Sequence, residues 1–397
     1  MYKRVNSIRK MLTQVVLAAG LLGLLDALPA AGQAAGQEAP PGPAATPVAE
    51  KSAAAAEMGL FGGKVVIHGF LSQAYAFSNG NQILGIPKQG TTDYNTAALQ
   101  VRADMTTDDT FAIQLSHQRV GLSPVGKTLP EVAVEWLFYE HRFGNSSLKV
   151  GRVKVPYGIY NEVRAVGTVL PLYRPARDFY GSGAFTTETV DGALVSHNFE
   201  LGKSWSLSGD LYYGNWTLFD TFQNELRATK SIGTQFFLDT PLSGVRLGLG
   251  TLRFDASASR PVETTPATFW HEVHGSIQGT FGRVDGEVEY KKQKADLSSG
   301  KTTYDMAVFY ARIGVHLTDK WILHGQYEIF KVRLRDYPQL GNFDYDQDHM
   351  LALAYKPRLD LAVKAEYHWN GGHSIEPDVP ASSVKTSYGI LSVSASF

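Results

Sequence analysis

The sequence predicts an all-β fold: a 16-stranded antiparallel transmembrane β-barrel with short periplasmic turns and long extracellular loops. Three observations carry that expectation. From Lys64 onward, apolar and polar residues alternate with period two. Many of the alternating stretches run past ten residues, longer than the five or six of an ordinary globular strand. They suit a tilted membrane strand of about nine to eleven residues. The connections also alternate between short and long, as in an up-and-down barrel with turns at one rim and loops at the other.

The N-terminus is read separately. Lys3, Arg4, Arg9 and Lys10 precede the apolar run "MLTQVVLAAGLLGLL", and Pro29 then leads into small residues. A charged start, a short apolar run and a small-residue cleavage site make residues 1–34 a secretory signal peptide. The run is short for a bilayer-spanning helix. Its removal leaves 33 basic and 37 acidic side chains, a net charge near −4, and nothing in that balance points to nucleic acid. Residues 35–63 are rich in alanine and proline and read as a flexible spacer.

The barrel then occupies 64–397. Its strands are expected at 64–76, 93–105, 110–119, 131–143, 147–155, 184–199, 205–216, 228–239, 245–255, 267–281, 283–292, 302–317, 321–333, 346–356, 359–370 and 385–397. In "LDLAVKAEYHW", Leu361, Val363, Ala365, Tyr367 and Trp369 form one face, while Lys364, Glu366 and His368 fall on the other. "RVDGEVEYK" sets Val284, Val288 and Tyr290 against Asp285, Glu287 and Glu289. "TTDD", "GNSS", "LGKS", "PLSG", "TDK" and "PRL" are the short turns. Composition alone (44% hydrophobic, 19% charged, mean hydropathy −0.15) would suit a soluble protein. A sandwich or propeller would have to bury these charged faces round one dry core, and no blade-length repeat is present. At sixteen strands a barrel instead leaves an aqueous channel. The charged faces then point inward and the apolar faces toward lipid.

The chain has no cysteine, which excludes disulfides, Cys-ligated metals and a Cys nucleophile. It ends on "YGILSVSASF". Tyr388 and the terminal Phe397, with Leu391, Val393 and Ala395 on the face of Phe397, resemble the terminal-aromatic signature that the assembly machinery of bacterial outer-membrane barrels reads.

One stretch breaks the alternation. "NEVRAVGTVLPLYRPARDFYGSG", residues 161–183, has no strand or helix period and follows the strand ending in "GRVKVPYG". Between Gly151 and Gly183 five basic residues (Arg152, Lys154, Arg164, Arg174, Arg177) face two acids (Glu162, Asp178). Loops this long are functional or disordered; the prolines and bulky side chains here favour a fixed shape. Sixteen strands, the "GRVKVPYG" exit and a long third loop resemble the sixteen-stranded porins of Gram-negative bacteria. "GRVKVPYG" is similar to the G-R-x-K-x-P-x-G segment of the phosphate-selective porin-like group.

The resemblance implies that residues 156–183 fold into the lumen as a constriction and that the protein is a homotrimer. It also implies an outer-membrane location among lipid and lipopolysaccharide, and passage of small hydrophilic solutes. Arg102 and Arg119 are wall candidates, interspersed with Asp104, Glu135, Glu287, Glu289, Glu328 and Glu366, so the wall is of mixed charge. Basic groups at a constriction favour anions, which predicts a modest anion preference. A second possibility is that the loop arginines pair with wall carboxylates and hold the loop down.

Other constellations carry less. His271 and His274 in "HEVH" lack the spacing of a helical zinc motif, and on a strand they face opposite ways. Asp336, Asp344, Asp346 and Asp348 read as a solvated acidic loop or one bridged to lipopolysaccharide. No G-x-S-x-G motif accompanies the scattered histidines, so no catalytic residue, metal or cofactor is expected. A barrel enzyme and a plugged adhesin or anchor remain as alternatives. Tyr75, Phe77, Trp136, Tyr212, Trp216, Trp321, Tyr367 and Trp369 read as an interfacial girdle, or else as a sugar-stacking track in the lumen.

Overall fold

The computed structural model describes residues 58–60 and 63–397, apart from 124–125, 127–129, 182–187, 203, 220–224, 243, 259–267, 298–302, 336–341 and 373–383. The signal peptide, and the spacer up to residue 57, lie outside the described residues. A short strand, β1 (Met58–Leu60), pairs with the start of the next strand at the end of the segment expected to be spacer.

The barrel follows as β2 (Gly63–Asn79), β3 (Thr91–Asp104), β4 (Asp109–Val120), β5 (Ala133–Phe143), β6 (Ser146–Lys154), β7 (Thr189–Glu200), β8 (Ser206–Phe219) and β9 (Glu225–Asp239). It continues as β10 (Arg246–Ala258), β11 (Thr268–Phe281), β12 (Val284–Leu297), β13 (Thr303–His316), β14 (Trp321–Leu334), β15 (Asn342–Arg358), β16 (Leu361–Gly372) and β17 (Val384–Ser396). Each pairs antiparallel with its sequence neighbours, and β17 pairs with β2 from Ser387↔Asn79 to Ser396↔Phe70. The sheet therefore closes on itself and leaves no open strand edge for hydrocarbon to meet. This is the sixteen-stranded barrel that the alternation predicts.

Connections at one rim are short (105–108, 144–145, 201–205, 240–245, 282–283, 317–320 and 359–360). At the other rim the longest is 155–188, between β6 and β7. The outer face is apolar and exposed, with Leu71, Leu99, Val150, Leu211, Leu249, Ile277, Ile313, Leu351 and Leu391 all solvent-accessible in the isolated chain. At the seam the backbone of Phe397 exchanges two hydrogen bonds with Gly69, at 2.9 and 3.0 Å, and its ring lies over that glycine, where a Cβ would collide with it.

The inner face departs from the expectation that it is polar throughout. Trp136, Tyr212 and Trp216, read as girdle aromatics, are buried inside, whereas Tyr75, Phe77, Trp321 and Trp369 are on the outside. Tyr212 and Trp216 join Val153, Val190, Leu194, Leu252 and Phe254 in an apolar cluster on the inner wall of β6–β10. The cause is the stretch 155–181: it folds inward and covers that wall, which excludes water and makes apolar side chains favourable there.

Candidate functional site: a loop clamped inside the barrel

The segment 155–188 leaves β6 at Lys154 and returns to β7 at Thr189, with Val155 N–H bonded to Glu188 O at 3.0 Å. Its regular structure is slight: a 3-10 turn at Asn161–Val163 and one helical turn, α1 (Arg177–Tyr180). Such a backbone satisfies few of its own polar groups, and buried N–H and C=O groups need partners. The barrel wall supplies them by charge. Wall carboxylates take loop N–H groups: Glu328 on β14 accepts from Arg177, Asp178 and Phe179 at 3.1, 2.6 and 3.2 Å. Glu289 on β12 accepts from Ile159 at 3.1 Å, and Glu366 on β16 from Tyr173 at 2.5 Å. Wall ammonium groups take loop carbonyls: Lys291 reaches Phe179 O at 2.5 Å and Lys356 reaches Thr168 O at 3.2 Å. Lys364 reaches Gly167, Leu170 and Leu172. Gln235 on β9 accepts from Gly158 N–H at 3.0 Å. Gly158 has φ +58, and a Cβ there would meet Tyr180 and Glu289, so glycine is required.

The loop's aromatics complete the anchoring. Phe179 packs against Tyr157, Tyr180 and Tyr310, with ring centroids at 5.5, 5.0 and 5.7 Å. Tyr180 and Tyr310 both donate to Glu289, and Tyr160 donates to Glu287, which also pairs with Arg312 at 2.8 Å.

The basic residues of the loop sit among these contacts. Arg177 pairs with Asp346 of β15 and with its neighbour Asp178 at 3.2 Å. Burial pushes the Asp178 carboxyl above its ordinary value, while Arg177 pulls it back. Arg174 is bonded to Tyr94 on β3, with its guanidinium carbon 5.1 Å from that ring's centroid. Arg164 ties the two limbs of the loop together through Tyr180 O at 3.0 Å and Gly181 O at 3.2 Å, and pairs with Glu188 at 3.4 Å. The exposed loop side chains on the described stretch are Glu162 and Val169.

The remaining sequence candidates separate by face. Lys154 and Glu135 form a largely buried ion pair at 2.6 Å, with Glu135 at a bulge between β4 and β5. Arg102 and Asp104 face inward at the short-turn end, 2.8 Å apart. Arg119 and Arg152 are corrections. Arg119 is two strand positions beyond His117 on the face of the exposed Leu115, so it points outward and pairs with Asp93 at 2.8 Å. Arg152 shares the outer face with exposed Val150 and pairs with Asp191 of β7 at 2.6 Å. Strand parity decides both: Val153, between Arg152 and Lys154, is the buried inward residue.

The acidic stretch is also corrected. Asp346 and Asp348 belong to β15, are buried and face inward, where Asp348 bonds His368 at 2.7 Å; Asp336 lies outside the described residues. His274 is buried inside and His271 is exposed outside, as parity requires. Tyr388 is buried inward, stacked on His368 with centroids 4.2 Å apart, while Phe397 is exposed.

Sequence reading did not assign roles to Lys291, Lys356, Lys364 or Gln235. Lys364 and Glu366 were visible as alternate polar residues of one strand, but their loop partners lie 192 to 197 residues away.

A closed barrel with an apolar outer face and a loop packed against its charged inner wall has the architecture of a membrane barrel. No protein-family model matches the chain, and none of the curated proteins does. Solved structures do. The chain is similar to OmpF of Salmonella typhi in complex with daunomycin, at 12% identity and TM-score 0.60 over 86% of this chain and 100% of that one. It is similar to the outer membrane channel DcaP of Acinetobacter baumannii (10%, 0.58, 84% and 97%). An anion-selective porin from Comamonas acidovorans gives 12%, 0.53, 84% and 100%. The fold is thus that of sixteen-stranded porins, the architecture of integral outer-membrane proteins.

Proposed function

We propose that the protein is an outer-membrane porin giving passive diffusion of small hydrophilic solutes through a lumen narrowed by the third loop, about residues 156–183. The observation that carries this reading is the wall-clamped loop inside a closed barrel of this size, where an aqueous channel is the default. Within 156–183, Arg164, Arg174 and Arg177 outnumber Glu162 and Asp178 by one, which supports no more than a modest anion preference. Pairing of Arg177 and Arg164 with carboxylates is what keeps the preference modest. A ladder of free arginines, as phosphate selection would use, has no support from these pairings. Residues 1–34 are proposed as the export signal, and Phe397 with Tyr388 as the element read by the barrel-assembly machinery.

A homotrimer is proposed as well. Its support is the pair of outward ion pairs, Arg119–Asp93 and Arg152–Asp191, beside the short strands β5 and β6. Charge on a lipid-facing wall is costly, and contact with a second copy removes that cost.

Planar-bilayer recording tests the function. Stable conductance steps are expected, with a reversal potential weakly on the anion side. Deleting residues 163–178 should raise the conductance and flatten the selectivity. Clear cation selectivity sinks the anion preference. An absence of steps favours a plugged structural barrel, the second reading, which the loop's extensive burial supports.

A further inference from the structure

Lys364 faces inward from β16 and is 1% exposed. Its Nζ donates to the carbonyl oxygens of Gly167, Leu170 and Leu172 at 2.6, 2.8 and 2.7 Å. An ammonium has three N–H donors, and here all three go to the backbone of one loop segment. A buried charge is tolerated where such bonds replace its water. Six loop residues are thereby fixed by a single wall side chain.

The segment so held lies where the barrel closes. β17 and β2 are the closing pair, and Ser72 of β2 donates to Ser394 of β17 across that seam at 2.9 Å. Gly167 rests on both serines: a Cβ on it would collide with both hydroxyls. Thr168 donates from Oγ1 to Ser396 Oγ at 3.2 Å.

We infer that Lys364 is the positioning residue of the constriction, a latch that seats the loop tip on the β17–β2 seam. Loop docking and barrel closure then depend on each other. The tip has its seat once the two serine-bearing strands are paired, and the seated tip bridges them from inside. The width of the passage follows from the same ammonium, because among the described residues the other polar wall contacts of 167–172 are those of Thr168 with Ser396 and Lys356, and the remaining hold is the non-directional packing of Leu172 on Met350 and Ala352.

The conductance readout of this inference rests on the porin reading. In Lys364→Met the aliphatic stem remains and the donors are lost. The expected result is a barrel that still migrates as folded on unheated gels, with the single steady conductance level replaced by flicker to a larger one. The chain has no cysteine, so adding Thr168→Cys and Ser396→Cys to that variant gives one defined crosslink. Oxidation should restore the steady level and reduction should bring the flicker back, which a general loss of stability would not do. A Lys364→Met channel with the parent's steady level, or an oxidised crosslink without effect, overturns the inference. Should Lys364→Met not fold, the cysteine pair in the otherwise unaltered chain decides: it should crosslink in the folded barrel, and failure to crosslink overturns the latch. Failure of the unaltered chain to conduct counts against the porin reading, while crosslinking still reports the latch.

Discussion

The inserted loop meets two halves of the same inner wall in different ways. Against β6–β10 it is met by Val153, Val190, Leu194, Tyr212 and Leu252, all at most 2% exposed and none of them charged. Against β12–β17 it is met by Glu289, Lys291, Glu328, Lys364 and Glu366, each buried and each bonded to loop backbone or side chains. The apolar half gains from excluded water and has no directional requirement. The charged half gains little net energy per bond, yet a partner left unpaired there is costly, so it fixes the loop's register. One side supplies adhesion and the other supplies position.

Substitutions can separate these roles. Phe179→Ala should have the largest effect on stability, because Phe179 is 1% exposed at the centre of the apolar cluster. A buried aromatic truncated to alanine costs about 3–5 kcal/mol. The urea midpoint of the folded barrel, reconstituted in vesicles, should fall accordingly. An unchanged midpoint would mean that the apolar half does not hold the loop.

Glu328→Gln should have a smaller effect. The carboxylate caps the first turn of α1 with three N–H bonds, and an amide keeps one carbonyl oxygen to accept them. Loss of a buried partner costs about 1–3 kcal/mol. The distinguishing result is in the channel: added sublevels at modest cost in stability are expected, since position is lost and adhesion is kept. A change in stability with a steady single level would reverse the assignment of the two halves.

The two halves were unequally legible in the sequence. Period two alone placed Glu287, Glu289, Glu328 and Glu366 on inward faces, and the length and prolines of 156–183 marked an ordered insertion. What each carboxylate binds was hidden, because Glu328 and its partners in α1 are 149 to 151 residues apart. The apolar half was misread for a physical reason. Tyr212 and Trp216 alternate as any barrel strand does, and an aromatic near a strand end suits a lipid interface as well as a covered inner wall. Arg152 was grouped with the loop by its place in the sequence, although parity with Val153 sets it outside.

Arg152 also provides the smallest effect and a check on the outer face. Its bond to Asp191 is made with both side chains about half exposed in the isolated chain, at 44% and 54%. An exposed ion pair contributes roughly 0–1 kcal/mol, so Arg152→Gln should leave the urea midpoint of a monomeric barrel nearly unchanged and the conductance level unaltered. Between copies of the chain the same pair would be desolvated, and breaking a buried pair costs about 3–5 kcal/mol. The variant should then shift toward monomer on unheated gels while each barrel keeps its channel. A small effect on both the midpoint and the oligomeric state would place Arg152 at the lipid or solvent boundary and remove the ion pair as support for the trimer.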